Sequence, residues 1–188
     1  RHREGGSLIM KRRVVVEIDL QALVRNYRKI AAHVKPMDVL CVLKANAYGL
    51  GVAAYAKALV EAGCTQFGVA EPYEALELLK VLKGRAGVEV QMLSSVLPDE
   101  IPEMVKAGVI LPMTDLAEAK LVSAAAVKAK RTAKVHFKLD TGMGRLGILA
   151  KDAPRVIREV KRLPNLDCAG IFSHCPMAYD PENTFPED

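Results

Sequence analysis

The chain has 188 residues, 51% hydrophobic and 26% charged, which is enough apolar material for one core and too little chain for two full-sized domains. Its net charge of +5 lies largely on helical faces, for example Arg155, Arg158, Lys161 and Arg162. With 5% aromatics and no Trp it lacks the stacking residues of a nucleic-acid surface, so no nucleic-acid partner is expected.

Residues 1–13 read as a leader or N-terminal extension, with Met10 a candidate start. The Val14–Val16 run behind them reads as a short strand and is broken at once by Glu17 and Asp19, which argues against a signal peptide. Asp19 is placed as an N-cap, and Leu20, Leu23, Val24, Tyr27, Ile30 and Ala31 recur at helical spacing until Pro36. Val39–Leu43 is a continuous apolar run of the kind buried on both faces of a parallel sheet. It ends in Lys44-Ala45-Asn46-Ala47-Tyr48-Gly49, and a helix from about Val52 to Ala62 follows.

The unit then repeats. Strands are read at Gln66–Ala70, Glu89–Leu93, Val109–Met113, Lys134–Leu139 and Cys168–Phe172. The helices between them run from Pro72 to Gly84, Pro98 to Ala107, Leu116 to Lys130 and Ala153 to Leu163. Strict alternation predicts an α/β fold with a parallel sheet. Two architectures remain open at this point. One is a partial (β/α)8 TIM-type barrel with about six of its eight strand–helix units, since a whole barrel takes roughly 250 residues. The other is a complete six-stranded doubly wound sheet. The polar run Asp180–Asp188 reads as a loop before a further helix. No segment approaches the length of a membrane span. The four cysteines, Cys41, Cys64, Cys168 and Cys175, form no C-x-x-C pair, which suits a reduced, cytoplasmic protein.

Reactive side chains gather where strands end. Lys44 and Tyr48 follow the first strand, Lys138 to Arg145 end the fifth, and Ser173-His174 end the sixth. Both barrels and open α/β sheets keep their sites at the carboxyl ends of their strands. Gly142-Met143-Gly144-Arg145-Leu146-Gly147 also fits G-x-G-x-x-G, but the strand before it carries His136, Lys138 and Asp140 on one face, and no carboxylate ends the next strand. The dinucleotide reading is rejected. Lys138 and Asp140 would point into a barrel lumen and need partners; Arg145 is the candidate for Asp140, yet it repels a protonated Lys138.

Three segments together resemble the alanine racemase family: Val42–Gly51 (VLKANAYGLG), Lys138–Gly147 (KLDTGMGRLG) and Ile171–His174 (IFSH). The resemblance runs from about Val14 to His174. It implies the barrel reading, with 14–188 a partial pyridoxal 5′-phosphate-binding barrel and a C-terminal β domain lying outside this chain, where the Val14–Val16 strand would find its partner. It further implies a homodimer interconverting L- and D-alanine by proton transfer at Cα. Related serine racemases, lyases of the same barrel class and non-catalytic pyridoxal-phosphate-binding barrels are the alternatives. By the same resemblance Lys44 carries the cofactor and is one of two catalytic bases, Tyr48 contacts its phosphate, and Arg145 bonds its phenolate and lies near substrate. His174 packs on the ring, and Lys138 is the lysine often carbamylated, whose carbamate would accept from Arg145. The segment Cys175–Asp180 departs from the family after the histidine, and the 188 residues alone are expected to be inactive.

Overall fold

A computed structural model describes residues 14–177; residues 1–13, expected to be a leader or extension, and the polar run at 180–188 lie outside them. Helix α1 (Leu20–His33) begins where the sequence places its cap: the Asp19 carboxylate accepts from the Gln21 and Ala22 amides at 2.8 and 3.0 Å. The helix stops short of Pro36, which cannot continue it.

Seven strands and six further helical segments follow: β1 (Leu40–Val42), α2 (Lys44–Tyr48), α3 (Val52–Glu61), β2 (Gln66–Val69), α4 (Pro72–Val81), β3 (Glu89–Met92), α5 (Ile101–Ala107), β4 (Leu111–Met113), α6 (Leu116–Ala129), β5 (Ala133–Asp140), β6 (Ile148–Leu149), α7 (Ala153–Val160) and β7 (Leu166–Ser173). Six of the seven strands match the sequence reading within a few residues. The two-residue β6 was not expected; it exists because the chain after Gly147 folds back and pairs in parallel with Leu139 and Asp140. The Val14–Val16 run forms no strand here. Its side chains are 69–83% exposed, with no ladder beside them.

Strand order separates the two architectures. β1, β2 and β3 pair in sequence, all parallel. Val90, Met92 and Ile110 exchange backbone hydrogen bonds that carry β3 onto the β4 side, and β4, β5 and β7 continue parallel. A doubly wound sheet reverses direction at a switch point. This one does not, so the strands advance around a barrel wall.

Helices α3 to α7 cover the outside. The core lies between them and the sheet, built from side chains of no measurable exposure such as Phe67, Leu78, Met92, Met104 and Met113. β1 is only half-buried along its length, unlike the doubly buried strand expected, because it is paired on one side alone. Glycine permits close approach within the sheet: a Cβ on Gly68 would fall 2.7 Å from Leu40, and one on Gly170 would fall 3.2 Å from His136.

Candidate active site

The segment after β1 is helical but left-handed. Ala45, Asn46 and Ala47 have φ/ψ of 51/49, 54/49 and 53/49, and Tyr48 has φ 56. Such a conformation crowds Cβ against the next carbonyl and costs about 1–2 kcal/mol per L-residue, so four in succession must be held by something outside the turn. Part of the holding is local: Ala47 N donates to Leu43 O at 3.0 Å, Gly49 N to Ala45 O at 2.8 Å and Gly51 N to Asn46 O at 3.0 Å. The Asn46 side chain then accepts from Val52 N at 2.8 Å and opens α3. The distant part is Glu74, whose Oε1 accepts from Ala45 N at 2.5 Å while its Oε2 takes Ala70 N and Glu71 N at 2.9 and 3.1 Å. Lys44 starts this turn and is half-buried.

The loop after β5 is organised differently. Asp140 Oδ1 accepts from the Gly142 and Gly144 amides, both at 3.0 Å, and those bonds hold its carboxyl below the usual range. The expected Asp140–Arg145 pairing is therefore corrected: backbone amides take the carboxylate, and no ion pair among the described residues joins it to Arg145. Gly147, at φ 141, passes so close to the strand that a Cβ would sit 2.6 Å from Asp140 N. No helix opens on these glycines. The chain enters β6 and reaches α7 only at Ala153, which agrees with rejecting a dinucleotide loop.

Lys138 is 5% exposed, as a lumen-facing residue should be. Its Nζ donates to Leu93 O at 2.6 Å and lies 5.5 Å from the centroid of the Phe172 ring. Burial lowers its pKa first, and the charges of Arg145 and Lys44 lower it further. The charges of Lys44, from the turn after β1, and of Arg145, from the loop after β5, thus both reach Lys138 at the carboxyl ends of the strands. Beside them an open groove of about 450 Å³ is lined by Arg145, Asp140, Asp115 and Thr114. Arg145, Tyr48 and His174 are exposed. Thr141 Oγ1 and Ser173 Oγ, 2.6 Å apart, tie the β5 and β7 ends together just before His174. Asp140 and Glu118 act on Lys138 in the opposite sense, but burial and the two cations outweigh them.

A second cavity, of about 240 Å³, lies at the opposite end of the lumen among Glu89, Gln91, Lys134 and His136. Its Lys134–Glu89 ion pair, at 2.5 Å, is over a third exposed and contributes little. Barrel enzymes keep their chemistry at the other face.

Sequence reasoning missed Glu74, the Leu93 carbonyl and Phe172 as neighbours of the site. Glu71-Pro72-Tyr73-Glu74 could have marked a helix start with a reaching-back carboxylate. Nothing in it names Ala45, 29 residues away.

Residues 18–187 match the family described as "Alanine racemase, N-terminal domain". A curated alanine racemase of Clostridium tetani is 38% identical over 177 residues, covering 93% of this chain and 44% of that protein. Among solved structures, an alanine racemase from Bartonella henselae with covalently bound pyridoxal phosphate aligns with TM-score 0.80 at 31% identity, covering 89% of this chain and 46% of the other. A histidine racemase from Leuconostoc mesenteroides aligns at 0.79 and 25%, covering 87% and 44%. The chain thus spans less than half the length of the relatives it matches. With consecutive parallel strands, a strand-end lysine on a left-handed turn and a family match over 18–187, the chain belongs to the alanine racemase N-terminal domain family.

Proposed function

We propose that the full-length protein is a pyridoxal-phosphate-dependent alanine racemase, and that residues 14–188 are its partial barrel, with 1–13 a leader or extension. The observation carrying this reading is the convergence of Lys44, Lys138 and Arg145 at the strand ends of a chain in this family. The cofactor and amino-acid substrate are carried over from relatives, one of which is described with pyridoxal phosphate covalently bound.

When bound, pyridoxal phosphate supplies an electron sink that makes the α-proton of alanine removable. Lys44 would hold the cofactor, and its amine would be the base that takes or returns that proton on one face. Tyr48 would hold the phosphate through its hydroxyl, Arg145 would donate to the ring oxygen near substrate, and His174 would pack against the ring. Lys138 is carbamylated in the working enzyme, which converts a repelling cation beside Arg145 into an acceptor. The base for the opposite face lies in sequence outside these 188 residues, so this stretch alone does not invert alanine. The working protein is a homodimer in the cytoplasm, the latter in keeping with four free cysteines.

The test is to incubate the full-length protein with L-alanine, then reduce it with borohydride. D-alanine should form, and cofactor mass should be fixed on the peptide holding Lys44. Lys44→Ala should lower turnover by about 10²- to 10⁴-fold from the lost base alone. Absence of D-alanine, or label on Lys138, overturns the reading. A second reading, racemisation of another amino acid, is favoured by the histidine racemase match and is settled by assaying L-serine and L-histidine beside L-alanine.

A further inference from the structure

We infer that Glu74 is a positioning residue for Lys44: its buried carboxylate clamps the left-handed turn and so sets the direction in which the lysine leaves β1. The functional half of this inference rests on the role proposed for Lys44; the structural half does not.

Glu74 is 7% exposed, and its described hydrogen bonds all come from backbone amides, with no cation among them. A carboxylate removed from water is costly, and three amide donors are what offsets that cost here. A simple cap would not require it. α1 starts on Asp19, an exposed N-cap, and in α6 the Glu118 carboxylate one turn inside the helix reaches back to Thr114 alone. In α4 the carboxylate sits one turn inside the helix and divides its oxygens. Oε2 closes the helix start through Ala70 and Glu71, and Oε1 crosses to the neighbouring strand end and takes Ala45 N.

That amide is one the turn cannot satisfy itself. The first bond within the turn is made by Ala47 N, so the amides ahead of it are orphaned as at any helix start. Ala45 N also belongs to the peptide plane that follows Lys44 Cα. Fixing that plane fixes the backbone at Lys44, and with it the line along which the side chain departs. Without the Oε1 bond, four strained L-residues would relax toward right-handed or extended conformations, and Lys44 would be re-aimed.

The substitution that isolates this role is Glu74→Gln. It keeps the shape but has one acceptor for donors on two sides, so either Ala45 N or the Ala70–Glu71 pair is left facing an amide NH₂. Glu100→Gln is the control: Glu100 Oε2 accepts one backbone amide, Leu97 N at 3.1 Å, at the start of α5. Hydrogen exchange is followed over peptide 44–51 in the cofactor-free full-length protein. In the holoenzyme, borohydride-trapped cofactor on Lys44 and the kcat and KM for alanine are measured.

Glu74→Gln should speed exchange in 44–51 by roughly ten- to a hundredfold, lower trapping at Lys44, and reduce kcat more than it alters KM. Glu100→Gln should leave all three unchanged. If Glu74→Gln does not fold, Glu74→Asp, one methylene too short to reach both sides, replaces it with the same expected pattern. Unaltered exchange in 44–51 would overturn the clamp whatever Lys44 does. Faster exchange with normal trapping and kcat would overturn the positioning role. A wild-type Lys44 that takes no label would sink the proposed function, while the exchange arm still judges the clamp.

Discussion

Two strand-end loops carry the site's charges, and they are held in opposite ways. The turn after β1 is built from L-residues forced into left-handed backbone and tied down from outside by Glu74, a buried carboxylate from the next strand–helix unit. The loop after β5 places glycines at its positive φ angles, at Gly142, Gly144 and Gly147, and ties itself down with its own half-buried Asp140. The first arrangement stores strain and depends on tertiary structure. The second removes strain by composition and is almost wholly local. A lysine held to one direction gains from the first; an arginine that lines an open groove can be served by the second.

The contrast is broken or sharpened most strongly at its glycines. Gly147→Ala should destabilise the full-length protein by about 3 kcal/mol, since its Cβ meets strand backbone at 2.6 Å and its φ is 141. Gly49→Ala, at φ 83 with nothing within 4 Å, should cost only about 1 kcal/mol. Urea unfolding measures both, and equal losses would show that the β5 loop is looser than described.

Lys138, lying between the two loops, gives the next effect. Burial, then Arg145 and Lys44, lowers its pKa below the lysine value of 10.5. Below that lowered value the folded and unfolded chains both hold the proton, and the folded chain bears the penalty in full. As pH rises through the lowered value the folded chain releases its proton first, so stability contributed at this residue rises until the unfolded group also titrates. In carbonate-free buffer, Lys138→Met should therefore be most favourable relative to wild type below the lowered value, with the difference shrinking as pH rises toward 10.5. A constant difference would mean that Lys138 is not a buried ammonium.

The smallest effect is the most direct measure of strain. Ala45 is exposed at φ 51, and Ala45→Gly removes about 1–2 kcal/mol of left-handed crowding while costing about 0.5–1 in unfolded-chain entropy. A net gain of about 0.5 kcal/mol in unfolding free energy is expected. A loss would mean that the turn is not strained as its angles indicate.

Much of the architecture was legible in the residues. Apolar runs such as Val39–Leu43 and the punctuation by Pro72, Gly84 and Pro36 marked strands and helices within a few positions, because burial and backbone constraint act over a handful of neighbours. Lys44, Lys138 and Arg145 could be picked out because a charged residue ending an apolar strand is visible in one dimension. The burial of Lys138 also followed from the alternation His136, Lys138, Asp140.

What the residues could not show depends on segments far apart in the chain. Periodicity allowed a barrel wall or a doubly wound sheet equally, and only strand order, a property of pairing between β1, β2, β3 and β4 through β7, chose between them. Ala-Asn-Ala-Tyr reads locally as ordinary right-handed material; its left-handed winding is sustained by a hydrogen bond to Glu74, 29 residues later. β6 exists only because Leu139 and Asp140 offer it a partner, and Asp140 went to glycine amides that were nearer than the Arg145 charge. Local sequence settles which residues seek burial and which seek water. Which distant donor meets which acceptor is decided only when the strands have closed on one another, because a hydrogen bond is made by position and not by type.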